Sequence, residues 1–151
     1  MGTVNSLPSE RAAVVGVIDA DAYSANTYTS GYISMALFER FMAVLTVGTM
    51  AASSTLNAKL IAYTDASGSN PEDVAGSAIT TLTQAGTDSD KQVVINFDTA
   101  SLAGTAKTHF RLSVTTAVDA IDFGAIVLGF DPLYGPASDN DLATVDEIKN
   151  A

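Results

Sequence analysis

The chain has 151 residues, 47% of them hydrophobic and 16% charged, and carries a formal net charge of −10. That is enough apolar material for one domain with its own core, and too much for a disordered tail. The seven basic residues (Arg11, Arg40, Lys59, Lys91, Lys107, Arg111, Lys149) stand singly, so no basic patch is available to displace counterions from a phosphate backbone, and nucleic acid is not an expected partner.

Residues 1–10 are polar and include Pro8, which predicts a loose N-terminal arm. Residues 12–18 read as a valine-rich first strand, and 19–27 (DADAYSANT) as a loop of turn-forming Asp, Ser and Asn. A short second strand is expected over 28–35, with Gly31 at a bulge. The strongest pattern runs from 38 to 64 and reads as two long neighbouring strands joined by a small-residue turn at 48–54. In the first arm Phe41, Ala43, Leu45 and Val47 share one face, and Met42, Val44 and Thr46 the other. In the second, Leu56, Ala58, Leu60 and Ala62 alternate with Asn57, Lys59, Ile61 and Tyr63. Period-two alternation marks half-buried strands. The second face is also partly apolar, so it too needs cover.

Residues 65–73 (DASGSNPED) are the clearest loop. A weakly alternating strand is expected around 78–82, followed by a loop at 84–91. Residues 92–97 form a strand with Val93, Ile95 and Phe97 on one face. Residues 98–108 read as a loop, or one helical turn around 100–103. The strand at 109–117 points Phe110, Leu112, Val114 and Thr116 inward. The last strand, 121–130, is almost wholly apolar, so both its faces should be covered. Residues 131–140 leave the sheet, and 141–150 read as a short helix with Asp141 as N-cap. About eight strands without helical periodicity predict a single all-β domain. Its expected parts are a jelly-roll-like β-sandwich over 11–130, an N-terminal arm over 1–10 and a C-terminal tail over 131–151. Phe41, Leu45, Leu60, Ile95, Leu112 and Val114 are its expected core.

Little of this sequence points to chemistry. There is no cysteine, which excludes disulfides and thiolate zinc sites. No apolar run approaches the ~20 residues of a membrane span, and the N-terminus lacks the basic and apolar regions of a signal peptide. His109 is the one histidine, with no nucleophile or orienting group beside it in sequence. The pairs Asp19 and Asp21, Asp88 and Asp90, and Asp139 and Asp141 read as turn formers, since none continues into a calcium-binding loop. With 7% aromatic residues and no tryptophan, a sugar-stacking site is disfavoured. No catalytic, cofactor-binding or metal residue is singled out, and no cofactor and no enzyme activity are expected. Met42, Val44, Ile61 and Tyr63 point outward by the period-two count. They face either a second internal layer or a neighbouring subunit.

The stretches FERFMAVLTVG, LNAKLIAYTDASGS, QAGTDSDKQVVINFD, RLSVTTA and VLGFDPLYGPASDNDLATVDEI resemble small virion proteins of the head-gene region of tailed bacteriophages and related prophages. The resemblance runs over about residues 12–148 and is to jelly-roll capsid cement, or decoration, proteins. It implies no catalytic residues. It implies homotrimers on the outer face of the capsid, clamping adjacent copies of the major capsid protein. An acidic chain without cysteines or a signal peptide suits assembly in bacterial cytoplasm. Its charge suits the outside of a shell better than its DNA-lined inside. The capsid is expected to be gripped through loops and termini rather than through the sheet faces. A tail-tube or head–tail joining subunit and, more remotely, a glycan-binding sandwich are the alternatives.

Overall fold

A computed structural model describes residues 6–150. Two antiparallel sheets face one another. Sheet A runs β1 (Ala12–Tyr23), β10 (Ile121–Pro132), β4 (Phe38–Met50), β8 (Gln92–Asp98). Sheet B runs β2 (Asn26–Thr29), β9 (His109–Ala117), β5 (Thr55–Tyr63), β6 (Glu72–Asp73), with β3 (Ile33–Ser34) also on β9 and β7 (Leu82–Thr83) also on β5. Take β2 with β3 as one interrupted strand, and β6 with β7 as another. Eight strands then remain, in the orders 1-8-3-6 and 2-7-4-5, which is a jelly roll.

The interruptions have local causes. Ser30 sits between β2 and β3. Its N–H donates to the Leu112 carbonyl, and its hydroxyl accepts from the Leu112 N–H. One side chain thus completes a ladder step that the backbone leaves open. On the far edge of β5, Val74 and Ile79 each bond β5 once, to the Leu60 and Ala58 carbonyls. Between them the Ser77 hydroxyl accepts from the Leu60 N–H at 3.0 Å. The expected strand at 78–82 is therefore mostly an irregular segment along an edge, and only Leu82–Thr83 pairs as a strand.

The inward faces build the core. Phe41, Phe97 and Phe110 pack ring against ring at 4.7–6.1 Å between centroids, and Leu45, Leu60, Ile95, Leu112 and Val114 are buried around them. At the other end of the sandwich Tyr23 packs on both Tyr28 and Phe123. Among the described residues, no buried side-chain nitrogen or oxygen lacks a partner.

The expected loop at 19–27 is mostly strand, since β1 runs on to Tyr23 and β2 begins at Asn26; two further differences are larger. The long strands at 38–50 and 55–63 are not neighbours: β4 pairs with β10 and β8 in sheet A, whereas β5 pairs with β9 in sheet B. The turn between them is a corner joining the two layers. It is held by Ser54, which is fully buried and donates to the Ala51 carbonyl. The expected helix at 141–150 is absent. Asp141 does not cap it; its carboxylate reaches back to β1 and accepts the Val14 N–H at 2.7 Å, while the Leu142 N–H donates to the Val14 carbonyl. Ala137, in a 3-10 turn at Ala137–Asn140, is fully buried. The first part of the tail is thus fastened to the sandwich. It also packs on the short helix α1 (Pro8–Arg11). Residues 1–5 of the expected arm lie outside the described residues.

Candidate interaction surface

The two outer faces of the sandwich differ in character. On sheet B, cross-strand neighbours are mostly polar. Thr27 pairs with Thr115, and Thr115 with Asn57; Ser113 pairs with Lys59, whose ammonium meets Asp73 at 2.7 Å. Such a face is content in water. On sheet A the outward residues form rows across all four strands. Val17, Ile126, Val44 and Val94 make one row, and Val14, Leu128, Met42 and Asn96 the next. Neither row contains a charge. Val94 is 53% exposed and Ile126 37%. The others are half-buried only by their neighbours, apart from Asn96, which is exposed. Four strands ~4.8 Å apart, over two rows ~6.8 Å apart, give a plate on the order of 300 Å². Apolar patches of that size on a protein surface are commonly functional.

Sequence order explains how this face arises. β10 is central in sheet A, with β1 on one side and β4 on the other. Its apolar run predicts cover on both faces. The inner side chains Phe123, Ala125 and Val127 find it in the core, but the outer ones, Ile126 and Leu128, do not.

One end of the plate deepens into an open groove of about 710 Å³, floored by Val17, Val44 and Ile126. Its depth comes from an irregularity of β1. The register shifts between Ile18 and Asp21, where β1 carries one extra residue and lifts over β10. There Ala20 passes so close to Gly124 that a Cβ on Gly124 would meet the Ala20 Cα at 2.9 Å. Glycine is therefore required at 124 for the bulge to cross. Asp19, Asp21 and Asp122 line the groove's edge. Among the described residues, none of the three pairs with a cation. Tyr23 fixes this lip by donating its hydroxyl to the Asp19 carbonyl. Burial, then the negative charges of Asp21 and Asp19, push its phenol pKa up. At the opposite end of the plate, Arg40 lies between Asp98 (3.4 Å) and Asp131 (3.2 Å), so that end is acidic as well.

The four residues read from sequence as one outward patch do not form one. Met42 and Val44 belong to the plate on sheet A. Ile61 is half-buried on the outer side of sheet B, across the molecule. Tyr63 is on that same outer side of sheet B but is covered there: it is 3% exposed, its ring stands edge-on to Tyr32 at 5.1 Å, and its hydroxyl accepts from Arg111 Nε at 2.9 Å. Treating β4 and β5 as neighbours in one sheet produced the false patch. Ile126, Leu128, Val94 and Val17 are the members that the sequence reading missed. Their signal was the fully apolar stretch 121–130, which lacks cover from its own chain.

Two more of the residues singled out have structural partners. His109 Nδ1 lies 2.8 Å from the Thr108 hydroxyl, and Asp88 accepts the Thr83 N–H. Among the described residues, no group of three or more His, Asp or Glu is placed to hold a metal ion, and no helix is long and apolar enough to cross a membrane.

No protein-family model matches the chain, and no curated protein matches it in sequence. Solved structures do. A chain from infectious bursal disease virus, Gt strain, aligns with a TM-score of 0.50 at 13% identity, over 85% of this chain. The architecture is that of viral jelly rolls. The match covers 33% of the bursal virus chain, so this protein spans about a third of that chain's length. A chain of the cowpea mosaic virus empty virus-like particle aligns at a TM-score of 0.47 and 12% identity, covering 89% of both chains. One from broad bean stain virus aligns at 0.45 and 9%, covering 90% of this chain and 97% of the other. All three chains come from structures of viruses or of a virus-like particle.

Proposed function

We propose that this chain is a structural subunit of a virus particle, specifically a cement (decoration) protein of the bacteriophage head. In this role it acts as a single domain. It sits as a homotrimer on the outer face of the capsid and bridges adjacent copies of the major capsid protein. The observation that carries the reading is the combination of a viral jelly roll with a flat apolar plate that its own chain leaves uncovered. A surface of that kind is built for a protein partner rather than for a reaction. The net charge of −10 supports an outward position, away from packaged DNA.

The physics of cementing needs no chemistry. A subunit touching two capsomers gains its full binding free energy only when both occupy mature positions, so it stabilises the expanded shell by mass action. The test is reconstitution. Heads assembled from a phage genome with this gene deleted should bind the purified protein to saturation and then resist heat better than bare heads. Light scattering on the free protein should give three times the monomer mass. Heads that take up no protein, or take it up without gaining heat resistance, would overturn the reading.

A further inference from the structure

Building on the cement reading, we propose that the groove on sheet A seats a segment of the capsid subunit that carries aliphatic side chains beside lysine or arginine. The floor is hydrocarbon (Val17, Val44, Ile126) and bears no charge. The lip is three carboxylates without a cation among the described residues. Among the described residues, Asp21 accepts only the neighbouring Ala22 N–H, at 2.7 Å. About 710 Å³ is room for several side chains, within the usual size of built recognition sites. The site is also preorganised. Tyr23 ties the lip to the backbone and is itself wedged against Tyr28 and Phe123, so binding orders little that is not already ordered.

The charges choose between occupants. A second copy of this chain would bring its own acidic ends to the plate. Whichever way it lay across the plate, the Asp19, Asp21 and Asp122 lip would meet either the same lip or the Asp98–Arg40–Asp131 end, which also has surplus acid. A partner with aliphatic anchors and flanking basic groups satisfies floor and lip together. Its attraction would also set the approach and register. The capsid contact in this proposal lies on a sheet face, in place of the loops and termini expected from sequence, and the trimer contact lies elsewhere on the molecule.

The test compares wild type with Ile126→Asp, which charges the floor, and with Asp19→Asn/Asp21→Asn/Asp122→Asn, which neutralises the lip. Each is mixed with gene-deleted heads at low and high salt, and each is checked for melting temperature and light-scattering mass. Ile126→Asp should bind heads at least about tenfold more weakly at unchanged mass and melting temperature. The neutral lip should also weaken binding, by about tenfold at low salt, and should flatten the salt dependence. Wild-type binding by both variants would overturn the groove while leaving the cement reading intact. A loss of oligomer mass in Ile126→Asp would overturn it too, by making the plate a contact between copies. If wild type itself ignores heads, the cement reading fails and a synthetic peptide of alternating valine and lysine decides the groove. Methyl shifts at Val17, Val44 and Ile126 that the neutral lip abolishes would support it; their absence would overturn it.

Discussion

Replacing Leu112 with alanine tests whether the inner and outer faces of the sandwich are correctly assigned. Leu112 lies on β9, is 0% exposed, and pairs with Leu60 across sheet B. The change removes three carbons from a packed site. At ~0.8 kcal/mol per buried methylene, the transfer loss is about 2.4 kcal/mol. If the hole of roughly 80 Å³ stays open, ~24 cal/mol per Å³ adds about 2 kcal/mol. Collapse of the neighbours reduces that second part, so the expected cost is about 2–5 kcal/mol. The matched control is Ile126→Ala on the opposite, outward side of sheet A, where 37% of the residue already meets solvent. There the wall can relax into water, and the cost should stay below about 1 kcal/mol. Urea unfolding at one fixed protein concentration measures both, with unchanged m values licensing the comparison. A cost below about 1 kcal/mol for Leu112→Ala, or an equal cost for Ile126→Ala, would refute the assignment of faces.

Val118, at the β9–β10 turn, is 69% exposed with φ of +76°, a conformation that a β-branched residue adopts only under strain. Val118→Asn should therefore raise stability by about 1 kcal/mol in the same urea assay. Asp141→Ala should cost about 1 kcal/mol and speed hydrogen exchange at the Val14 amide, which loses its acceptor. Acid should weaken the fold through Asp65 and Asp98. The Ser69 hydroxyl and the N–H groups of Ser69 and Ser67 hold Asp65 below its usual carboxyl pKa; the Ala100 N–H and then Arg40 do the same for Asp98. Because these folded-state values are depressed, their stabilisation is complete above pH ~4 and is lost as pH falls below it. A melting temperature that is flat above that point and declines beneath it is the expected profile, and Asp65→Asn should blunt the decline.

The fold was largely readable because strands announce themselves by alternation. The stretch 109–117 alternates Phe110, Leu112, Val114 and Thr116 against polar neighbours, and the structure buries all four. What alternation does not carry is partner choice. β4 and β5 have the same period and a short connection, which is equally compatible with a hairpin and with a corner between layers. The structure takes the corner, because the partners of β4 are β10 and β8, far off in sequence. That one difference split the four-residue patch between the two outer faces, and Tyr32 with Arg111 covers Tyr63 on its own face. Edge segments were also illegible, since Ser30 and Ser77 complete ladder steps with side chains and leave no period-two trace. Asp141 looked like a helix cap because caps and long-range acceptors use the same residue type; only the fold reveals which N–H it meets. The plate on sheet A was half legible. The apolar run 121–130 signalled a strand that needs cover, and the structure shows which side its own chain leaves bare.

The central claim is a place on the particle, and a cryo-electron reconstruction of the phage that encodes this chain tests it most directly. The account predicts density for the sandwich on the outside of the head, in groups of three, with the plate on sheet A turned toward the shell. Density in a ring of six or twelve at the tail or the head–tail joint, or none on the capsid exterior, would contradict it.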